Sequence, residues 1–225
     1  MTITFKALSA LLSYPTDDLV AALPEVRAIV IEDASLGARE REALIALVDR
    51  LAATDPLDAQ EAYVELFDRG RSTSLHLFEH VHGDSRDRGP AMVDLDGIYR
   101  NAGYQLTGGE LPDYLPALLE YLATRPAEEI GEMLGDCAHI VRRIGEALVK
   151  RGSDYSAVLA AVLALAGEPG LGQCRDRAAV IDKPLDDEWI EEPVIFGPAA
   201  ACGSGSGCGT PPPRPASVQF IPRRA

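Results

Sequence analysis

The chain predicts an all-α fold, a single-domain bundle of about seven to ten helices with a flexible C-terminal tail, and three observations carry that prediction. Apolar residues recur at helical spacing over the first three-quarters of the 225 residues. No stretch alternates apolar and polar with period two for long enough to make a strand. The breakers Pro15, Pro56, Gly108-Gly109, Pro126 and Gly167 fall between the periodic segments rather than inside them.

Each element has its own signal. Phe5, Leu8 and Leu12 share one helical face, and Pro15 ends that helix. Thr16 is placed to cap the next one, with Asp17 and Asp18 in a first turn where the macrodipole favours negative charge. Leu44, Leu47, Val48 and Leu51 form another stripe, and Asp55-Pro56 supplies a cap followed by proline at the first helical position. After Gly108-Gly109, Pro112 is expected to open a helix that carries Asp113 in its first turn and packs Leu115, Leu118, Leu119 and Leu122. The clearest helix is expected from about Pro126 to Arg151. There Ile130, Met133, Leu134, Cys137, Val141, Ile144 and Leu148 fall on one face, while Glu129, Glu132, Arg142, Arg143 and Glu146 fall largely off it. Ser153 starts a last apolar helix through Val158, Leu159, Val162 and Leu165, and Gly167 suits its exit.

Hydrophobic residues make up 47% of the chain and charged residues 25%, which is ordinary globular usage. Asp and Glu outnumber Lys and Arg by 35 to 21, a formal net charge of −14. A duplex-binding protein needs a basic face to displace counterions, so nucleic acid is an unsuitable partner. The same charge disfavours an anionic membrane surface and favours cationic or arginine-bearing partners. No apolar run reaches the roughly 20 residues that span a bilayer, and Met1 to Lys6 lack the features of a signal peptide. Stable membrane insertion is therefore not expected. Four cysteines, Cys137, Cys174, Cys202 and Cys208, are too few and too scattered for a disulfide framework, and the expected location is cytoplasmic.

The charge is unevenly spread. Residues 168–192 hold eight acids against three bases, residues 193–225 hold three arginines and no acid, and residues 1–167 keep the remaining −12. Ten of the nineteen residues from Gly197 to Pro215 are Gly or Pro, a composition that buries little. The division expected is a helical domain over 1–167 and an acidic, then Gly/Pro-rich, mostly disordered tail over 168–225. Cys202 and Cys208 within that tail are two thiols without a second ligand pair, a poor zinc site. Cys137, on an apolar stripe, is expected in the core.

Three of the four histidines crowd into Ser74-Leu75-His76-Leu77-Phe78-Glu79-His80-Val81-His82-Gly83-Asp84. If that segment is helical, His76 and His80 lie on one face beside Glu79, which matches the inverted zinc-peptidase pattern H-x-x-E-H. The alternative function this suggests is a metal-dependent hydrolase. It also requires a third protein ligand on another element, and the sequence singles out none. The next residues, Ser85-Arg86-Asp87-Arg88-Gly89-Pro90, read as a charged surface turn. G-x-x-x-x-G-K-[ST] is absent, so no phosphate cradle is expected.

Tyr63 to Arg71, Ser74 to Gly83 and Asp84-Ser85-Arg86-Asp87-Arg88-Gly89-Pro90-Ala91-Met92-Val93-Asp94-Leu95 together resemble the NarJ-type molybdenum-cofactor assembly chaperones of respiratory nitrate reductase. These belong to the wider group of redox-enzyme maturation proteins that includes the TorD and DmsD chaperones. Leu11-Leu12-Ser13-Tyr14-Pro15 and Leu111-Pro112-Asp113-Tyr114-Leu115-Pro116 resemble the family as well, and the likeness spans about residues 5–165. Where the wider group commonly has His after the Pro-Asp pair, this chain has Tyr114, as in the nitrate-reductase branch. The resemblance implies an all-helical, TorD/NarJ-like protein with no catalysis, metal or cofactor of its own. It implies binding, in the cytoplasm, of the apo catalytic (alpha) subunit of nitrate reductase, including its N-terminal peptide. That subunit would be kept competent for molybdenum-cofactor and iron–sulfur insertion until membrane docking, with molybdenum-cofactor biosynthesis proteins as further partners. The residues it points to for the client peptide are His76, Glu79, His80, His82, Asp84, Arg86, Asp87, Asp113 and Tyr114.

Overall fold

The computed structural model of the chain describes residues 2–83, 86–107 and 109–171, with the backbone alone at Thr2. Cys174, Cys202, Cys208, Asp84 and the segment 172–225 lie outside the described residues.

Local signals place most helix boundaries. Helix α1 runs Thr2–Leu12, and α2, Asp17–Glu32, begins where the Thr16 hydroxyl accepts the Leu19 amide at 3.3 Å. Helix α3 is Ala38–Ala53. In α4, Pro56–Tyr63, the Asp55 carboxylate accepts the Leu57 amide at 2.9 Å and proline occupies the first turn. Helix α5 is a short Leu77–Val81 segment, and α6 is Arg88–Asn101. Helices α7, Leu115–Leu122, α8, Ala127–Lys150, and α9, Ser156–Leu165, complete the described residues. After α9 the chain turns at Gly167, whose φ of +74° is a left-handed conformation that glycine adopts without steric cost.

Three helices are apolar nearly all round and lie at the centre. Phe5, Leu8, Leu11 and Leu12 of α1 are completely buried, each contributing about 1.5–3 kcal/mol. Every residue of α7 except Glu120 is buried, and α9 buries Val158, Leu159, Ala161, Val162 and Leu163. Helix α1 packs on α7, α2 and α9, and the Ser9 hydroxyl donates to the Pro116 carbonyl at 2.8 Å across the first of these contacts. The amphipathic helices enclose them. Helix α3 lies against α2 and α9 through the expected Leu44, Leu47, Val48 and Leu51, while α8 lies against α9 and α5. Of the stripe expected on α8, six residues are buried and Met133 is half-buried. Cys137 is buried there, its thiol donating to the Leu134 carbonyl, and burial pushes its pKa up to about 12.

Two segments depart from expectation. Helix α7 begins at Leu115, not at Pro112, because Pro116 takes the first-turn slot, while Pro112 and Asp113 form a turn closed by the Tyr114 amide on the Leu111 carbonyl at 3.1 Å and Tyr114 is extended. Asp113 is therefore outside the helix. The Arg88-Gly89-Pro90 stretch, expected in a surface turn, opens α6 instead. The described chain also continues past Gly167: Arg142 on α8 donates to the Gly170 carbonyl at 3.1 Å and reaches Glu168 at 3.5 Å. None of the described helices is long and apolar enough to cross a membrane.

Candidate functional site

Two non-helical segments meet beside α5. The Leu77 amide donates to the Asp113 carbonyl at 3.0 Å and the Leu115 amide to the Leu75 carbonyl at 2.9 Å, so His76 and Tyr114 pair in an isolated antiparallel bridge. Leu75, Leu77 and Leu115 anchor the rung in the core, and the His76 and Tyr114 rings lie 5.3 Å apart. Asp113 has no solvent exposure. Its Oδ2 accepts the Phe78 amide at 3.0 Å and its Oδ1 lies 3.2 Å from His76 Nδ1. A residue 35 positions later in sequence thus supplies the cap that α5 lacks locally.

The remaining polar groups close round this pair. Glu79 accepts the Ser74 hydroxyl at 2.6 Å on Oε2 and Arg88 Nη2 at 3.2 Å on Oε1; the same Arg88 nitrogen is 3.7 Å from Asp113. His80 Nε2 meets the Ser74 carbonyl at 2.8 Å, and Arg143 of α8 donates to the His80 carbonyl at 3.4 Å. His76 sits at the cap position of α5 with extended backbone, so it shares no helical face with His80. All three members of the H-x-x-E-H pattern already hold protein partners. Among the described residues no three His, Cys, Asp or Glu side chains converge as metal ligands. The shared helical face on which the hydrolase reading depends does not form, because His76 lies outside α5.

Of the residues singled out from sequence, His76, Glu79, His80, Asp113 and Tyr114 come together in this network. His82 follows α5, its ring 5.7 Å from that of Phe78; Arg86 and Asp87 are exposed in the turn before α6. Ser74 and Arg88 complete the network and carried no sequence signal for that role.

The His76–Tyr114 pair forms one wall of an open groove of about 460 Å³. Tyr14, Tyr63 and Phe67 supply aromatic surface, Leu111 an exposed apolar edge, and Asp68 and Glu110 two carboxylates. A π-helical turn, Val64–Asp68, closed by the Arg69 amide on the Val64 carbonyl at 3.2 Å, follows α4 and presents Asp68 there. The Tyr63 hydroxyl donates to the Leu12 carbonyl at 2.7 Å and lies 3.1 Å from the Tyr114 hydroxyl. Tyr14, Tyr63, Asp68 and Glu110 were missed from sequence as site residues because three separate stretches of chain deliver them.

The two central histidines titrate in opposite directions. The hydrogen bond to Asp113 holds His76 above the ordinary imidazole value of 6.5, whereas burial holds His80 below it. The folded chain retains the His76 proton more tightly than the unfolded chain. That stabilisation is complete below pH 6.5 and is lost as pH rises through the higher folded value. The His80 contribution is present above pH 6.5 and is lost as pH falls through its lower folded value. Urea unfolding between about pH 5 and 9 tests this. The stability difference between the unmodified chain and His76→Gln should shrink toward alkaline pH, and that for His80→Gln toward acid pH. Two pH-independent differences would contradict the assignment.

The bundle thus combines an internally satisfied titratable cluster with an open aromatic groove that has an acidic rim. Its fold is shared with a crystal structure described as a redox enzyme maturation protein from Archaeoglobus fulgidus, with a TM-score of 0.53, 19% identity, and coverage of 74% of this chain and 92% of that one. The chain belongs to the nitrate reductase delta subunit family, whose model matches residues 33–161. It is 41% identical over 205 residues to the nitrate reductase molybdenum cofactor assembly chaperone NarJ of Escherichia coli K12, covering 88% of this chain and 86% of that protein. A Bacillus subtilis relative is 36% identical over 163 residues, covering 72% of this chain and 87% of its own length.

Proposed function

We infer that the groove between Tyr14 and Tyr114 is where this chain holds its client. The chain is an assembly chaperone of the nitrate reductase family and not a catalyst, the role borne by the name of its 41% identical relative. The client is the apo catalytic subunit of a nitrate reductase, held in the cytoplasm through its N-terminal peptide until molybdenum-cofactor and iron–sulfur insertion is complete. The observation that carries the site is the partly exposed aromatic wall: Tyr14 and Leu111 are each 43% exposed beside buried Tyr63 and Phe67. An amphipathic helix laid in such a groove buries its apolar side on the rings and leaves its polar side in water. His76 and Tyr114 contact it directly. Glu79, His80 and Asp113 hold those two in place, and His82, Arg86 and Asp87, between α5 and the start of α6, are further candidate contacts.

Release after maturation requires moderate affinity, on the order of micromolar, about −8 kcal/mol. Calorimetry with a synthetic N-terminal peptide of the catalytic subunit should give one peptide per chain, binding more weakly as salt rises because the rim is acidic. Absence of heat, together with failure of the apo subunit to co-purify with the chain, would overturn the reading.

A further inference from the structure

The groove carries two carboxylates, and its hydrogen-bond inventory bears on what it can accept. Tyr63 spends its proton on the Leu12 carbonyl, and the Tyr114 hydroxyl, 3.1 Å away, then donates to Tyr63. The wall formed by these two rings thus has no hydroxyl proton left for a ligand. Lone pairs and ring faces remain. Asp68 and Glu110 reach the groove from the π-helical turn and from the loop before α7, and neither has an ion-pair partner in the described residues. Among the described residues, the one groove residue that can be cationic is His76, and its charge is matched by Asp113 at 3.2 Å.

A site whose side chains offer two carboxylates and several π faces, against the Tyr14 hydroxyl and the His76 ring as side-chain donors, fits a group with the opposite inventory. Guanidinium has five donors, no acceptor, weak hydration and a plane that stacks on aromatic rings. We propose that the groove contains a guanidinium subsite, in which an arginine of the bound segment lies against the Tyr14 and Tyr114 rings and shares its N–H fork between Asp68 and Glu110. This rests on the reading that the groove is where the client is held, and it adds the residue that the groove selects. The electrostatics agree: partial burial and the Glu120 charge raise Glu110, and, behind burial, the Glu110 and Asp68 charges raise Tyr114. All three are effects that a bound cation relieves.

The test uses the full chain and two peptide sets. The first is a neutral amphipathic helical host carrying one central arginine, or citrulline, which keeps the shape and loses the charge. The second is the N-terminal peptide of the nitrate reductase catalytic subunit with its arginines replaced by citrulline. Calorimetry should show citrulline binding about tenfold more weakly in the host. The Asp68→Asn/Glu110→Gln double variant should lose the same factor for arginine and cease to distinguish the two hosts. Both positions are exposed, and unchanged helical circular dichroism verifies the fold. Equal affinity of the two hosts, or a double variant that still prefers arginine, would overturn the proposal. If the catalytic-subunit peptide binds tightly but ignores both citrulline and the double variant, the subsite fails and the client reading stands. If that peptide does not bind while the host keeps its Asp68- and Glu110-dependent preference for arginine, the client reading fails and the subsite stands.

Discussion

Asp113→Ala is expected to destabilise the fold by about 3–5 kcal/mol, the scale for removing one partner from a buried charged network. The carboxylate has no solvent exposure and serves the Phe78 amide, His76 Nδ1 and, at 3.7 Å, Arg88. Alanine leaves a helix-initiating amide without an acceptor and two cationic side chains without their shared counter-charge. Asp113→Asn keeps one acceptor for Phe78 and loses the charge, so its cost should be smaller, about 1–2 kcal/mol. Urea unfolding of both variants near neutral pH measures the pair. A loss below about 1 kcal/mol for the alanine variant would mean that the network does not hold α5 in place. The variant also separates stability from recognition. If Asp113 acts on the client through His76, the asparagine variant, still folded, should bind the catalytic-subunit peptide more weakly.

The same residue shows where the sequence was legible and where it was not. Thr16 and Asp55 cap their helices as read, because a cap bonds to an amide two or three residues away and the whole interaction fits in a short window. The α8 stripe was legible because one helix face repeats every 3.6 residues whatever lies opposite. Asp113 had the look of a first-turn acid for the helix that follows it, yet it caps α5, whose amide lies 35 residues earlier. Nothing in a window of ten residues can reveal that. H-x-x-E-H likewise assumes a helix through His76, and the extended Ser74 to His76 segment removes that assumption. The groove was the least legible feature. Asp68 depends on a π-helical turn with no propensity signature, and it meets Glu110, Tyr14 and Tyr114 only after three segments have folded together. The family likeness of residues 63–95 pointed to this end of the molecule without saying which side chains face outward.

Tyr99→Ala should cost about 3–5 kcal/mol and take the groove with it. Helix α6 leaves Val93 and Ile98 exposed, and Tyr99 is its single buried residue. The Tyr99 ring packs 4.7 Å from Tyr121 and 5.8 Å from Tyr104. Its hydroxyl donates to the Pro112 carbonyl at 2.9 Å, immediately before Asp113 and Tyr114. The ring therefore fastens α6 to the core while the hydroxyl positions the segment that pairs with His76. These two functions separate experimentally. Tyr99→Phe removes the hydroxyl alone and should cost about 1 kcal/mol, with peptide affinity within about threefold of the unmodified chain. Tyr99→Ala should accelerate amide hydrogen exchange along α6 and weaken peptide binding by more than tenfold, because the Pro112 segment loses its tether together with the packing. If Tyr99→Ala unfolds at nearly the same urea concentration as the unmodified chain, α6 is held by something other than this ring. In that case the Pro112–Tyr114 segment owes its position to the Asp113 network and the backbone bridge to His76.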